Sequence, residues 1–218
     1  MRINKYLALH TELSRRGADA AIAAGRVTLN GRKPAEGSLV APGDRLTLDG
    51  NLINNKTEVQ TILLNKPIGY VCSRDGQGSK TVYELLPKEL QHLNSVGRLD
   101  KDSSGLLVMT NDGNLAQELT HPKYQKTKIY EVTLDKALLP LHQQMISDIG
   151  VNLEDGQSKF MIQKEGDHLK ITMSEGRNRQ IRRTFEALGY KVTSLHRTHF
   201  GTYDLGRLET GKTTLLPA

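Results

Sequence analysis

The chain has 218 residues, 25% charged and 37% apolar, without low-complexity tracts. This excludes a disordered or fibrous chain and predicts one large domain, or a domain with a small module, able to bury its own core. Thirty Lys and Arg against 24 Asp and Glu favour an anionic partner, with nucleic acid ahead of a membrane surface.

The opening residues, MRINKYLALH, lack the apolar region of a signal peptide, and no run approaches the roughly 18 apolar residues of a membrane span. A cytoplasmic protein is the expectation. Ile3 and Leu7, with Tyr6 to one side, have helical spacing. Ser14 then precedes RRGADAAIAAG, a second short helix with Ile22 facing a core and Gly25 as its left-handed stop. RVTLNGRKP alternates at Val27 and Leu29 before Asn30-Gly31, a strong hairpin signal, and residues 40–48 alternate again after a Pro-Gly turn. Residues 1–50 hold eight Lys or Arg against five acids. Arg2, Lys5, Arg15, Arg16, Arg26, Arg32 and Lys33 crowd the helices and first turn, so phosphate contacts compete with an ordinary solvated face. The polar, Asn-rich stretch 51–60 reads as a linker between domains 1–50 and 61–218, and its Asn55-Lys56-Thr57 sequon has no secretory context to act in.

From residue 61 short strands alternate with helices. TILLN and GYVCS are strand candidates around Lys66-Pro67-Ile68-Gly69, and TVYELLP has helical spacing up to Pro87. Cys72, the single cysteine, excludes an internal disulfide and agrees with a reducing compartment. Residues 96–113, VGRLDKDSSGLLVMTNDG, place three glycines, a serine pair and five charges around the apolar run Leu106 to Met109, so a polar loop feeds a buried strand. Asp100 and Asp102 are either working carboxylates or surface charges pairing with Arg98 and Lys101; pattern alone favours the surface pairs. Residues 114–120 read as helix. TKIYEVTLD alternates, with Tyr130, Val132 and Leu134 on its apolar face, where a core tyrosine with a satisfied hydroxyl competes with a functional one.

Residues 138–149 form an amphipathic helix, and SKFMIQK with DHLKITM a hairpin around Glu165-Gly166-Asp167. In SEGRNRQIRRTFEALG, residues 174–189, Ile181, Phe185 and Leu188 take the buried side and Arg179, Arg182 and Arg183 a neighbouring face, before Gly189 ends the helix. Guanidiniums that close repel one another unless anions compensate, so an anion site is favoured, with Arg177 just ahead of it. Residues 206–213 satisfy the phosphate-loop pattern, but too little chain follows Lys212 for the required helix. His196 and His199 read as strand residues, and no metal set can be assembled with Cys72. Gly76-Gln77-Gly78 is too short a fragment of a dinucleotide fingerprint to use.

Two resemblances join these pieces. RINKYLA, SRR, an alanine-rich helix, GRVTLNG and PGDRLTL resemble, over roughly residues 1–48, the small module named after the fourth small-subunit ribosomal protein, which holds structured RNA mainly by backbone and shape. LLNKPIGYVCS, VGRLDKDSSGLLVMTNDG, KIYEV and EGRNRQIRRTFEALG follow one another as in pseudouridine synthases of the bacterial ribosomal small-subunit synthase A family. The resemblance implies an α+β protein, with a small α/β RNA-binding module and a mixed, mostly antiparallel catalytic sheet with flanking helices.

It further implies isomerisation of uridine to pseudouridine in ribosomal RNA or a precursor particle. The base is flipped out, and neither cofactor nor metal is used. By position, Asp100 takes the place of the catalytic aspartate, Tyr130 that of the tyrosine packing on the uracil, and Arg182 that of the residue pairing with the aspartate. Arg98 would frame the loop and hold a phosphate, and Arg177, Arg179 and Arg183 join the RNA-facing set. Whether Asp100 attacks as a nucleophile or removes a proton from ribose carbon 2 stays open. A monomer is expected. A non-catalytic RNA-binding factor and an RNA glycosidase that releases uracil are the rival readings.

Overall fold

A computed structural model describes the chain apart from residues 12, 36, 54–57, 167 and 218, and its contacts divide into two units, Met1–Val59 and Gln60–Ala218. In the first, α1 (Ile3–His10) and α2 (Arg15–Ala23) bury Leu7, Ala18 and Ala21 with Val27 and Leu46. The Ser14 hydroxyl caps α2 by accepting the Gly17 amide at 3.0 Å. Strands β1 (Val27–Leu29), β2 (Leu46–Leu48) and β3 (Asn51–Leu52) form an antiparallel sheet in that order. Asn30 and Gly31 both have positive φ, as a tight two-residue turn requires, but the returning chain adds only a bridge at Arg32 and β1 takes its main partner from β2. Of the stretch expected as linker, Asn51–Leu52 is thus paired strand, while the sequon lies outside the described residues.

The second unit opens with β4 (Thr61–Lys66). GYVCS, expected as a strand, contributes only a bridge from Val71 to Thr81, because its ends turn toward a neighbouring loop: the Gly69 amide donates to Lys101 O at 2.7 Å. TVYELLP forms one turn of 3-10 helix, Val82–Leu85, since the residue before Pro87 must be extended. Then come β5 (Asn94–Ser95), β6 (Ser104–Thr110), α3 (Gly113–Thr120) and β7 (Lys128–Leu134). The amphipathic helix is α4 (Pro140–Gln144), running into a π-helical turn, Met145–Ile149. Hairpins β8 (Val151–Leu153) with β9 (Gly156–Ser158), and β10 (Met161–Glu165) with β11 (His168–Met173), precede α5 (Gln180–Ala187). Of the tip expected between β10 and β11, Asp167 lies outside the described residues. The chain closes with β12 (Val192–Phe200), β13 (Tyr203–Asp204) and β14 (Thr213–Leu215), so the phosphate-loop look-alike leads into a strand.

Apart from the separate β8–β9 hairpin, these strands form one mixed sheet in the order β10-β11-β7-β12-β6-β4-β14, with β5 added to β6 and β13 to β12; β12 and β6 are parallel and every other pair antiparallel. The α+β architecture expected from the sequence is present. Strand β6 lies inside the sheet and is buried on both faces. Leu107 and Met109 join a core with Phe185 of α5, while Leu106 and Val108 join one with Leu119 of α3 and Phe200. Two-sided burial explains why its sequence is continuously apolar rather than alternating. In β7, with one face more open, Tyr130 and Val132 are buried between exposed Glu131 and Thr133. No helix among the described residues is long and apolar enough to cross a membrane.

The parallel pairing of β6 and β12 depends on Gly105. At φ 102° it faces the backbone of Arg197, and a Cβ there would lie 2.3 Å from Arg197 O and 2.6 Å from its nitrogen. Both the conformation and the backbone contact exclude a side chain. Gly105→Ala should destabilise the protein by about 2–4 kcal/mol, read as a lower urea midpoint with an unchanged slope. A wild-type midpoint would show that the two strands do not depend on this approach.

Candidate active site

The loop between β5 and β6 is fastened from below by a lysine that sequence reasoning assigns only to a turn. Lys66 ends β4 with its side chain fully buried, and its ammonium donates to Pro67 O at 3.1 Å, Asp100 O at 3.0 Å and Ser103 O at 2.7 Å. Burial pushes its pKa down, while the nearby Cys72, Asp100 and Asp102 oppose that shift. Cys72 supplies a second fastening. Its Sγ accepts the Leu99 amide at 3.4 Å and donates to Leu99 O at the same distance, and burial raises the thiol pKa. The Ser103 amide closes the turn onto Asp100 O at 3.1 Å.

The two loop carboxylates are then used differently. Asp102 is gripped by Arg179, whose Nη1 and Nη2 donate to its two oxygens at 2.9 and 3.0 Å, and Arg182 Nε approaches within 3.3 Å. The Arg179 hydrogen bonds, with help from the Arg182 charge, hold its carboxyl below the usual range against partial desolvation. Asp100 has no such clamp; Arg179 Nη1 is 3.7 Å away. Asp100 lines a cavity of about 740 Å³, together with Tyr130 of β7, Arg179, Lys128, Arg197 and Phe200.

The expected pairing of Arg182 with Asp100 is therefore not the geometry found. Arg182 donates to Asp102 O at 2.7 Å, Ser103 Oγ at 3.3 Å and Val192 O at 3.0 Å, and it is absent from the cavity wall. Its place on α5 lets it brace the loop from behind, whereas Arg179, one position before the helix, reaches around the end. Arg179 holds a left-handed backbone, φ 47°, a conformation that costs a non-glycine residue roughly 1–2 kcal/mol and directs its guanidinium to both aspartates.

The other candidate residues separate into groups. Arg98 is exposed at the cavity rim. Arg177 and Arg183 both grip Asp155 next to β9: Arg183 at 3.0 and 2.7 Å, Arg177 through its Nη1 at 3.0 Å, with Arg177 also donating to the carbonyls of Gly156 and Gln157. These two guanidiniums thus fix a hairpin to α5. In the first unit Arg2, Arg15 and Arg16 are exposed, Lys5 is half-buried, and Arg26 donates from Nε to Asp49 at 2.8 Å. His196 contacts Ser104 Oγ at 2.9 Å and burial lowers its pKa. Among the described residues no His, Cys, Asp and Glu cluster could hold a metal. Sequence reasoning missed Lys66, Lys128 and Arg197; the only available signal was a charged residue interrupting or ending an apolar strand.

The pattern of the family described as RNA pseudouridylate synthase matches residues 60–187, and that of the S4 domain residues 1–46. The chain is similar to ribosomal large subunit pseudouridine synthase B of Bacillus subtilis, 36% identical over 96% of this chain and 89% of that protein. To ribosomal small subunit pseudouridine synthase A of Pasteurella multocida it is 35% identical, over 100% of this chain and 97% of the relative. A solved pseudouridylate synthase structure has a TM-score of 0.72 and 31% identity, covering 100% of this chain and 96% of that one.

Because the folded state holds the Asp102 pKa down, that carboxylate contributes stability above its unfolded pKa of about 4 and loses it as pH falls through the lower folded value. The side chain is 47% exposed, so the contribution is no more than about 1 kcal/mol. Asp102→Asn should be less stable than wild type by that amount at pH 7, with the gap closing below about pH 4 in urea unfolding. A gap that persists unchanged into acid would mean that the ion pairs are not its source.

Proposed function

Since the chain belongs to the RNA pseudouridylate synthase family, a family of isomerases, we propose that it converts a uridine of ribosomal RNA to pseudouridine with Asp100 as the reacting carboxylate. One observation carries the assignment. Of the two loop carboxylates, Asp102 is clamped by two arginines, and Asp100 faces the cavity across which Tyr130 lies.

The reaction breaks the bond from ribose carbon 1 to nitrogen 1, turns the uracil and joins carbon 5 to the same ribose carbon. The proton on carbon 5 is lost and nitrogen 1 gains one, so atoms and electrons balance without an oxidant, a cofactor or a metal. Asp100 acts on the ribose, by attack at carbon 1 or by proton removal at carbon 2. Arg179 Nη1 lies 3.7 Å from the Asp100 carboxylate, close enough to meet charge that develops there. Tyr130 offers its ring to the displaced uracil and its hydroxyl to the proton at carbon 5. Arg182 is a positioning residue, holding the loop through Asp102 and Ser103.

Reaching the uridine requires flipping it from its stack, at a cost of a few kcal/mol that stacking on Tyr130 and phosphate contacts offset. Arg98 and Arg179 suit those contacts. In the first unit, whose S4 pattern is that of an RNA-binding module, Arg2, Lys5, Arg15, Arg16 and Arg26 supply charge for backbone binding. A monomer working in the cytoplasm completes the reading.

Purified Asp100→Asn is expected to make no pseudouridine while binding ribosomal RNA within a few-fold of wild type; normal product formation would refute the assignment. Arg182→Ala should slow turnover about 100-fold or more with a small stability loss, and an unaltered rate would leave α5 as a plain binding face. Mapping pseudouridine in ribosomal RNA from cells with and without the gene identifies the target, and an unchanged map would remove ribosomal RNA as the substrate.

A further inference from the structure

The cavity wall contains a charge imbalance that the loop does not explain. Six Lys or Arg residues line it, Arg98, Lys126, Lys128, Arg177, Arg179 and Arg197, against two acids, Asp100 and Glu175. Both acids already have an arginine nearby: Arg179 lies 3.7 Å from Asp100 and Arg177 3.2 Å from Glu175. Lys126 has Glu118 at 2.6 Å. Lys128 and Arg197 make no ion pair among the described residues, although both are substantially withdrawn from water.

Arg197 is 2% exposed, and its guanidinium makes one hydrogen bond, from Nε to Leu106 O at 2.9 Å; Nη2 is buried without a partner. Its Cζ lies 4.7 Å from the centre of the Phe200 ring, and Lys128 Nζ lies 5.2 Å from the same centre. The ammonium otherwise has only long contacts to the carbonyls of Lys126, 3.2 Å, and Ser174, 3.3 Å. Burial lowers the Lys128 pKa, and the Arg197 charge adds to the shift. Two cations sharing one aromatic ring in a half-enclosed cavity are a costly arrangement unless an anion joins them.

We propose that Lys128 and Arg197 form a phosphate site, occupied in the working enzyme by a backbone phosphate of the RNA strand carrying the displaced uridine. The register supports this choice. Arg197 is the cross-strand partner of Tyr130 on β7, and Lys128 lies two residues before Tyr130, about 7 Å along the same strand face. A base stacked on Tyr130 would thus place its own backbone beside the two cations. Neutral uracil lacks the full charge needed to compensate them, whereas a phosphate has both the charge and several acceptor oxygens. Identifying the phosphate with that of the substrate strand rests on the proposed isomerase reading, while the existence of an anion site does not.

The test is NMR titration of the full chain, following the Arg197 Nε–Hε signal with inorganic phosphate, uridine 5′-monophosphate and uridine at constant ionic strength. Wild type should show saturable millimolar shifts with phosphate and the monophosphate, but not with matched chloride. Lys128→Met, with its overall amide spectrum preserved, should bind both at least about 10-fold more weakly, and Arg197→Lys should retain part of the affinity. Absence of a saturable phosphate shift in wild type, or wild-type affinity in Lys128→Met, would overturn the site. Uridine shifting Arg197 as strongly as its monophosphate would also overturn it, by assigning the cations to the base. Pseudouridine formation measured on the same samples separates failure of this site from failure of the isomerase reading.

Discussion

A buried ammonium holds this site together. Lys66 gives its donors to carbonyls that the loop cannot bond within a strand or helix, and it does so at the point where β4, β6 and the loop meet. Burying a charge costs several kcal/mol unless the geometry compensates it closely, so the arrangement is stable only with the loop in place. The ammonium is bonded to the main-chain oxygen of Asp100 rather than the carboxylate, fixing where the residue sits while leaving its side chain at the cavity.

The ionic contacts likewise hold the groups around the Asp100 carboxylate and leave it without a clamp of its own. Asp102, Arg182 and Ser103 form a bracket on the outer side of the loop, and Asp155 with Arg177 and Arg183 forms another around α5. Arg179 serves both carboxylates, since it bonds Asp102 and remains close to Asp100. Rigid placement of this kind replaces the reorganisation that water would otherwise undergo around a developing charge. The sheet provides the fixed base, with β6 buried on both faces behind the loop.

Much of this was legible in the residues. Alternation in 127–135 assigned Tyr130 to the buried face, the apolar run 106–109 marked a central strand, and Ser14 and Gly25 bounded α2. What failed to read through was set by contacts distant in sequence. GYVCS has strand composition but turns to meet Leu99 and Lys101, and after Asn30-Gly31 the returning chain adds only the Arg32 bridge to one edge of β1 while β2, distant in sequence, pairs along the other. The partners of Arg182 could not be read from helix spacing, which gives a face and not which of two aspartates that face meets. Lys66 looked like an ordinary residue before a proline, because burial of a charged side chain leaves no periodic signature.

Cys72 lies in the same seam, with its sulfur bonded to both polar backbone groups of Leu99 and its thiol kept protonated by burial. Thiolate is the nucleophilic form, so burial among these contacts protects the sulfur from soluble alkylating reagents, and loosening of the seam exposes it. As the chain has one cysteine, the molecule carries its own chemical reporter on this loop: the rate of labelling under native conditions reads how readily the seam opens, with no probe to install and no second thiol to confuse the signal.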